Sequence, residues 1–257
     1  MLLIDGNSMV HRAFWASINN QNAFHNHNSQ AFIVMFEKAL KVFKDLEVIV
    51  VFDKSKKTWR HEIYPEYKAN RKETPENLLL EFEHAKAYLK SKKVPMVEKA
   101  GFEGDDLIGT LCKHYKYKDK MILSSDHDLL QLVNNDTKVC LMLKGLSEIE
   151  IYDEWKVIEK KGVSPRQIPD LKALMGDKSD NIKGVERVGK VLAHKLLDEF
   201  NDIETLYSNL DKINQAKVLE HLTNGKEDCF LSKKLATIKT DIDLDFNQIE
   251  NDLKRYP

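Results

Sequence analysis

The sequence predicts an α/β fold, in which a central, mostly parallel sheet is flanked by helices and followed by an all-helical region. Apolar runs of strand length alternate with amphipathic stretches of helical length over about the first 160 residues, a pattern typical of parallel strands joined by helices. From Ser164 the strand pattern stops, and helical segments separated by glycine turns follow. We therefore expect an α/β core over residues 1–163 and a helical region over residues 164–257.

Each element of the predicted core has its own signal in the sequence. Short apolar runs predict strands at residues 2–5, 48–53, 94–98, 120–124, 138–143 and 148–152. Apolar residues that recur every three or four positions predict helices between them, for example at residues 30–43, 76–90 and 105–115. The asparagine-rich stretch 19–29 contains His25 and His27 but no third ligand placed by sequence. We therefore expect a solvated loop there rather than a metal site.

Composition excludes several classes of protein. The 257 residues are 42% apolar, with 40 basic and 41 acidic side chains and a net charge of -1, so the chain is neither disordered nor a polycation. Three separated cysteines without a CxxC pair argue against disulfides and thiolate zinc sites, and favour a reducing cytoplasm. The longest apolar run is far shorter than a membrane span. We expect no membrane partner and a monomer, since no feature argues for an oligomer.

Acidic residues recur where the predicted strands end. The carboxyl ends of parallel strands meet at one edge of the sheet, which is where such folds bind ligands. Any one of these acids could instead cap a helix or stabilise a turn. Together they form an unusual set: Asp5, Asp53, Glu103, Asp105, Asp106, Asp126, Asp128, Asp177 and Asp180.

So many converging carboxylates would repel one another unless a cation neutralised them. Oxygen ligands alone favour Mg²⁺ or Mn²⁺ over zinc. The number of carboxylates exceeds the needs of one octahedral ion, so we expect two metal ions, as in phosphodiester hydrolysis.

Two basic segments complement the acids. Residues 54–72 carry seven Lys or Arg against two Glu, together with Trp59, Tyr64 and Tyr67, a mixture suited to single-stranded nucleic acid. Such a run is more often only a solvated face. A second segment, residues 183–190, approaches a phosphate-binding P-loop, but Val191 stands where Ser or Thr is needed and no strand precedes it. We expect a tight turn whose backbone amides and lysines grip a phosphate backbone.

Eight sequence segments together resemble a known family. They are LIDGNS at residues 3–8, RAF at 12–14, VFD at 51–53, RHE at 60–62, YKANR at 67–71, EGDDLIGT at 103–110, SDHDLLQL at 125–132 and MGDKSDNI at 175–182. The chain resembles the bacterial 5′ nucleases, or flap endonucleases, and in particular the 5′→3′ exonuclease domain of DNA polymerase I. Departures from the family pattern, at Asn7, Gly104, Ser124–Ser125, His127 and Lys183, remove no carboxylate.

The resemblance implies roles for individual residues. All nine acids would be metal-site residues, and residues 54–90 would form a helical arch that admits a free 5′ end. Lys68 and Arg71 would offset charge on the phosphate, and Tyr67 would stack on a base. Residues 176–200 would form a helix-three-turn-helix that holds duplex DNA, with a potassium ion. The residues expected to contact DNA are Arg12, Lys54, Lys56, Lys57, Arg60, Lys72, Lys183, Gly184, Val185, Arg187, Gly189, Lys190 and Lys195.

We therefore expect a Mg²⁺- or Mn²⁺-dependent 5′ nuclease that cleaves DNA with a 5′ flap or free 5′ end, including RNA primer–DNA hybrids, during primer removal and repair near the bacterial nucleoid. One alternative is a catalytically silent protein that binds branched DNA. A second is a metal-dependent phosphatase or ribonuclease that uses Asp126 or Asp128 as a nucleophile; a phosphatase would need neither the arch nor the Gly184 turn.

Overall fold

A six-stranded sheet forms the centre of the fold in the computed structural model, which describes residues 1–19 and 30–256. The strand order is β3-β2-β1-β4-β5-β6, and only the edge strand β6 runs antiparallel to its neighbour. This architecture confirms the predicted fold class. The strands are β1 Leu2–Asp5, β2 Val48–Val51, β3 Met96–Val97, β4 Lys120–Ser124, β5 Thr137–Met142 and β6 Ile149–Tyr152.

Helices cover both faces of the sheet and form the whole of the C-terminal region. Within the described ranges the α-helices are α1 Gly6–Asn19, α2 Gln30–Val42, α3 Trp59–Ile63, α4 Glu76–Ser91, α5 Gly104–His114, α6 Glu154–Lys161, α7 Ile168–Met175, α8 Lys190–Phe200, α9 Ile203–Ser208, α10 Ala216–Asn224, α11 Lys226–Ala236 and α12 Phe246–Arg255. Short 3-10 helices lie at His127–Leu132, Pro165–Gln167 and Leu210–Lys212. Of the loop predicted at 19–29, Asn19 ends α1 and residues 20–29 lie outside the described residues.

The central strands are buried on both faces, which explains why they are apolar throughout rather than alternating. In β1, Leu2 and Ile4 pack into one hydrophobic cluster and Leu3 packs into the other, because successive side chains point to opposite faces of a sheet. The cluster around Leu3 continues into α7, α8 and the later helices. The helical region and the α/β core therefore share a hydrophobic interior, which sets the position of α7 and α8 relative to the sheet edge.

The segment predicted as a helical arch is only partly helical. Of residues 54–90, α3 and most of α4 are helical, and residues 64–75 consist of turns and irregular backbone. The turn around Glu66 and Lys68 is hydrogen-bonded to the loop after α7. The Lys68 amide donates to the Asp180 carbonyl at 3.0 Å, and the Asn181 side chain donates to the Glu66 carbonyl at 2.7 Å. These contacts bring the basic segment to the acidic residues.

In the part of the chain that the structure describes, helices are too short or too polar to span a lipid bilayer.

Candidate active site

The carboxyl ends of β1 and β4 mark the point where the strand order reverses. The chain passes from β1 to β2 on one side and reaches β4 on the other, and a crevice forms at such a point in open α/β sheets. A cavity of about 1330 Å³ opens there. Its lining includes most of the predicted acids, with Lys68, Arg71, Lys161 and Lys172 around them.

Four acids lie at the sheet edge without a basic partner, and we call them the sheet-edge cluster: Asp5, Asp53, Asp105 and Asp126. Asp5 ends β1 and accepts hydrogen bonds from the Ser124 hydroxyl at 2.6 Å and the Ser8 amide at 2.9 Å. Among the described residues, no Lys or Arg forms an ion pair with any of the four.

Asp53, which follows β2, is held by a neutral side chain and a backbone amide. Asn7 donates its side-chain amide to Asp53 at 3.0 Å and accepts from the Asp53 backbone at 2.9 Å. The Gly104 amide, in the first turn of α5, donates to the other carboxylate oxygen at 2.5 Å. Glycine is suited to position 104 because an added Cβ would lie 3.2 Å from that oxygen.

Burial and mutual repulsion disfavour negative charge in the sheet-edge cluster. Burial raises the pKa of Asp5 to about 7, reinforced by the charges of Asp126 and Asp53 and opposed by the hydrogen bonds from Ser124 and Ser8. Burial also raises the pKa of Asp105 well above its ordinary value, with Asp126 and Asp5 as the next contributors. A divalent cation would relieve this repulsion, and carboxylate oxygens are the ligands that Mg²⁺ and Mn²⁺ prefer.

A second group of acids, the loop cluster, consists of Asp128, Asp177 and Asp180. One oxygen from each lies within 4.8 Å of the others, a spacing that could hold a metal ion. In contrast to the sheet-edge cluster, this one contains a lysine: Lys172 of α7 contacts Asp128 and Asp177, both at 2.5 Å. Despite its burial, Asp177 has a pKa lowered to about 2, mainly by Lys172 and Ser179. Burial raises the pKa of Asp128 to about 6 against the opposing effect of Lys172.

Glu103 connects the two clusters through the basic segment. Lys68 donates to Glu103 at 2.8 Å and lies 4.0 Å from Asp180. Arg71 donates to Asp180 at 2.6 Å. Lys68 holds a left-handed backbone conformation, with φ of 56°, which is unfavourable for a residue other than glycine. The amide hydrogen bond from Lys68 to Asp180 helps to hold this conformation, which places both cations beside the acids.

Asp106 and Arg60 pair with each other, whereas the sequence predicts a metal-site residue at Asp106 and a DNA contact at Arg60. Arg60 is 3% exposed and forms two hydrogen bonds to the fully buried carboxylate of Asp106, at 2.7 and 2.9 Å. Trp59 and the Lys239 amide also donate to Asp106. These donors occupy both oxygens of Asp106, so we assign it as the counter-ion of Arg60 rather than a metal ligand. Arg60 is too buried to contact DNA in this conformation.

Tyr67 is also buried, contrary to the expectation that it stacks on a base. Its ring is 3% exposed and belongs to a small cluster with Ile182 and Leu235. The hydroxyl lies 3.1 Å from a carboxylate oxygen of Glu103 and 3.1 Å from one of Asp180, and its single proton can be donated to either. Tyr67 therefore positions acids instead of presenting a ring to solvent.

The turn before α8 matches only part of the prediction that its backbone amides and lysines bind a phosphate backbone. The Gly184 amide donates to Ser232 at 3.2 Å and the Val185 amide donates to Leu174 at 2.9 Å, so neither is available for a phosphate. Gly184 has φ of +69° and packs against the backbone of Gly176. The remaining predicted residues of this region are exposed, namely Lys183, Arg187, Gly189, Lys190 and Lys195.

The other predicted DNA contacts surround the cavity and the basic segment. Lys54, Lys56, Lys57 and Lys72 are exposed. Arg12 lines the cavity, but it donates to Ser125 and to the Leu143 carbonyl, both at 2.7 Å. Arg12 thereby joins α1 to the ends of β4 and β5.

Several residues that shape the site carry no functional signal of their own in the sequence. Ser124 and Asn7 orient carboxylates through side-chain hydrogen bonds, and the sequence places them beside the acidic motifs. Lys172 lies on a helix that is otherwise largely apolar. A lone lysine among buried neighbours is a signal that an acidic partner is near, and it stands five residues before Asp177.

Comparison with family models identifies the chain. A 5′-3′ exonuclease N-terminal resolvase-like domain matches residues 1–162, and a 5′-3′ exonuclease C-terminal SAM fold matches residues 163–256. The chain belongs to the 5′-3′ exonuclease family. This 5′-3′ exonuclease family member is 39% identical over 245 residues to DNA polymerase I of Bacillus caldotenax, in an alignment that covers 94% of the chain and 28% of the polymerase. The chain thus spans a little over a quarter of the length of that relative.

Solved structures share the fold of this 5′-3′ exonuclease family member. The T5 5′-exonuclease with bound divalent metal ions (zinc) aligns with a TM-score of 0.80 and 23% identity, over 100% of this chain and 98% of that one. The bacteriophage T5 flap endonuclease in a pseudo-enzyme-product complex with DNA and metal ions aligns with a TM-score of 0.80 and 21% identity, over 99% and 97% of the two chains. At these identities the likeness establishes the fold.

Proposed function

We propose that the chain is a divalent-metal-dependent 5′ nuclease that hydrolyses phosphodiester bonds in DNA with a 5′ flap or a free 5′ end. The observation that carries this proposal is the sheet-edge cluster, where four carboxylates converge in a cavity without a basic partner among the described residues. The family membership and the DNA and metal ions named for the T5 relatives support it.

Two groups of acids are the proposed ligands of two metal ions. Asp5, Asp53, Asp105 and Asp126 would hold one ion, since no described Lys or Arg forms an ion pair with them. Asp128, Asp177 and Asp180 would hold the second, provided that Lys172 moves away from the carboxylates it now contacts. Such ions supply Lewis acidity, which activates water and neutralises charge on a phosphate.

The protein's own groups would orient the phosphate and the acids. Ser124, Asn7 and the Gly104 amide fix three carboxylate oxygens by hydrogen bonds, which keeps ligand oxygens preorganised. Lys68 and Arg71 lie beside Glu103 and Asp180 and would offset the charge that develops on the phosphate. The product of the cleavage would carry a 5′-phosphate.

The test is cleavage of a 5′-labelled flap substrate, compared with blunt duplex and single-stranded DNA, in Mg²⁺ and in EDTA. We expect metal-dependent cleavage near the flap junction, lost in Asp105→Asn and retained in Asp211→Asn, a matched change at an exposed acid distant in sequence from the acidic motifs. In the same assay Lys68→Ala should reduce turnover more than DNA affinity. Equal losses of both would remove its proposed catalytic role.

Tight flap binding without cleavage in Mg²⁺ or Mn²⁺ would instead favour a silent branch-binding protein. The exposed lysines at positions 54, 56, 57 and 72 would favour nucleic-acid binding in either case, whereas a phosphatase would not need them. A potassium ion at the turn before α8, RNA at the 5′ end and a monomeric state stay predictions. They are testable by cleavage in K⁺ against Na⁺, by a 5′-RNA substrate and by sedimentation.

A further inference from the structure

The 3-10 helix at His127–Leu132 brings one acid of each cluster together at its start. Asp126 precedes the helix, and its carboxylate accepts a hydrogen bond from the Asp128 amide at 2.8 Å, while its own amide donates to the Ser124 hydroxyl at 2.9 Å. Asp126 is therefore tied to the end of β4, whereas Asp128 lies within the helix. A rotation of the helix would change the position of Asp128 relative to the sheet-edge cluster.

Gln131, three residues after Asp128, uses both polar atoms of its side chain to hold this helix. Its amide nitrogen donates to the Asp128 carbonyl at 3.0 Å and to the Ala236 carbonyl at 3.1 Å. Its amide oxygen accepts a hydrogen bond from the Ile238 amide at 3.0 Å. A primary amide offers two N–H donors and an acceptor together, so neither a carboxylate nor an apolar side chain could replace these contacts.

The partners of Gln131 lie in residues 236–242, which comprise the last residue of α11 and the irregular backbone after it. We call residues 236–242 the crossing segment, because they pass over α5. The Lys239 amide donates to the Asp106 carboxylate at 2.9 Å, and the Ile242 amide donates to the Thr110 hydroxyl at 3.3 Å. The crossing segment is thus fixed to α5 independently of Gln131.

Close packing also holds the crossing segment on α5. An added Cβ at Gly109 would lie 2.6 Å from Ile238 Cγ2 and 3.0 Å from the Lys239 carbonyl oxygen, so the segment approaches the helix as closely as glycine allows. The first turn of α5 carries Asp105. Through the crossing segment, Gln131 therefore links the position of Asp128 to the helix that positions Asp105.

Apolar packing holds the 3-10 helix in the core but does not fix its rotation. Leu129 and Leu130 are fully buried in the same hydrophobic cluster as the C-terminal helices, and hydrophobic contact is non-directional. Hydrogen bonds are directional, so the contacts of Gln131 are the ones that select a single orientation. Loss of the side-chain amide should leave the helix in place and allow it to turn.

We propose that Gln131 is a positioning residue that sets where Asp128 lies relative to the sheet-edge cluster, and so couples the two acid clusters to the C-terminal helical region. This inference rests on the proposed function, because it requires that both clusters bind divalent ions. Two ions act on one phosphate when they lie about 4 Å apart, and a displacement of about 1 Å reduces rates by about 100-fold. In the described part of the chain, the hydrogen bonds of Gln131 all go to backbone groups, so it would act through Asp128.

The experiment compares Gln131→Met with the matched control Gln167→Met in the full chain. Gln167 is also half-buried in a 3-10 helix, where it accepts from the Ser164 amide at 3.0 Å and donates to the Asn201 carbonyl at 2.8 Å. Its hydrogen bonds within the described residues reach no acid of either cluster. Both variants therefore lose the same kind of contact, and only one loses a contact to Asp128.

Mn²⁺ binding, followed by electron paramagnetic resonance, separates a positioning role from a merely structural one. We expect the wild type to bind two Mn²⁺ ions that are magnetically coupled. In Gln131→Met one of the two affinities should fall about tenfold, as expected when a group that orients a metal ligand is lost, and the coupling should weaken. Single-turnover flap cleavage should fall about 100-fold, with DNA affinity unchanged. Gln167→Met should keep both Mn²⁺ affinities and the coupling.

Unchanged Mn²⁺ affinities and coupling in Gln131→Met would overturn this inference and leave the nuclease proposal standing. A wild type that neither binds Mn²⁺ nor cleaves the flap would overturn both. Gly109→Ala gives a second test that keeps Gln131 and decides the question if Gln131→Met does not fold. The added methyl displaces the crossing segment, whereas alanine favours the helix. This variant should weaken the same Mn²⁺ site, and an unchanged pair of ions would contradict the role of the crossing segment.

Discussion

The sheet-edge cluster and the loop cluster are neighbouring groups of acids that balance their charge in opposite ways. Neither Asp5 nor Asp105 forms an ion pair with a described Lys or Arg, and burial raises the pKa of both carboxyl groups. Asp177 shares Lys172 with Asp128, and its pKa is lowered to about 2. Burial and repulsion therefore disfavour negative charge on Asp5 and Asp105, whereas the loop cluster contains a cation of its own.

This difference indicates how a metal would bind. The loop cluster has the more compact geometry, with one oxygen of each acid within 4.8 Å of the others, but a metal must displace the ammonium of Lys172 to bind there. Within the described part of the chain no Lys or Arg forms an ion pair with the sheet-edge cluster, and the charges of Lys68 and Arg71 act on Asp53 and Asp105 only from a greater distance. We infer that the first ion binds at the sheet edge and that the loop cluster binds the second ion more weakly.

The largest expected effect concerns cleavage by variants of the two clusters. Asp105→Asn should reduce flap cleavage by about 10³-fold, comparable with the loss of a key electrostatic group in other enzymes. Asp180→Asn should cost about tenfold, in the range of changes to supporting groups. Cleavage rates under single-turnover conditions measure both. Equal losses in the two variants would remove the distinction between the clusters.

Asp106 allows a test of how much a fully paired, buried carboxylate contributes to the stability of the protein. Asp106→Ala leaves the buried guanidinium of Arg60 without its partner and should lower the free energy of unfolding by about 4 kcal/mol. Asp105→Asn, one residue earlier, should instead raise the stability of the metal-free protein because it removes repulsion. Urea unfolding in EDTA compares the two, and a stable Asp106→Ala protein would contradict the assignment of Asp106 as a structural counter-ion.

Lys172→Met should lower the stability of the protein less than Asp106→Ala does, and it should strengthen metal binding at the loop cluster. Without Lys172, Asp128 and Asp177 lack a counter-ion, so the metal-free protein should lose about 2 kcal/mol of unfolding free energy. Saturating Mg²⁺ should restore most of this loss, since the vacated position becomes available to the ion. Unfolding with and without Mg²⁺ measures the recovery. No recovery would mean that Lys172 does not occupy a metal position.

A pH dependence of similar size separates Asp5 from Asp177. The folded pKa of Asp5 is raised to about 7, so its contribution to the stability of the metal-free protein falls as pH rises from about 4 to 7. Asp177, with a pKa of about 2, contributes stability above pH 4 that is lost as pH falls toward 2. Asp5→Asn should therefore gain about 2 kcal/mol relative to the wild type between pH 5 and 8 in EDTA. An unchanged difference across this range would exclude a buried, repelled Asp5.

The sequence predicts the fold and the acidic edge well because both follow from local patterns. Apolar runs mark the strands, and an acid at or just after a strand end lies at the sheet edge, as Asp5 and Asp53 do. Pairings distant in sequence are different. Arg60 stands in a basic run that suggests exposure, yet packing buries it against Asp106, 46 residues away. No local spacing reveals such a partner, and the same holds for Lys172 and Asp128.

The central claim is that the sheet edge binds the first metal ion. Its most direct test is a Mn²⁺ titration of the wild type, Asp105→Asn and Lys172→Met, monitored by electron paramagnetic resonance or calorimetry. We predict a tighter and a weaker site in the wild type. Asp105→Asn should lose the tighter site, and Lys172→Met should strengthen the weaker one. A tighter site that survives Asp105→Asn, or a weaker site that Lys172→Met leaves unchanged, would contradict the claim that the sheet edge binds the first ion and that Lys172 competes for the second.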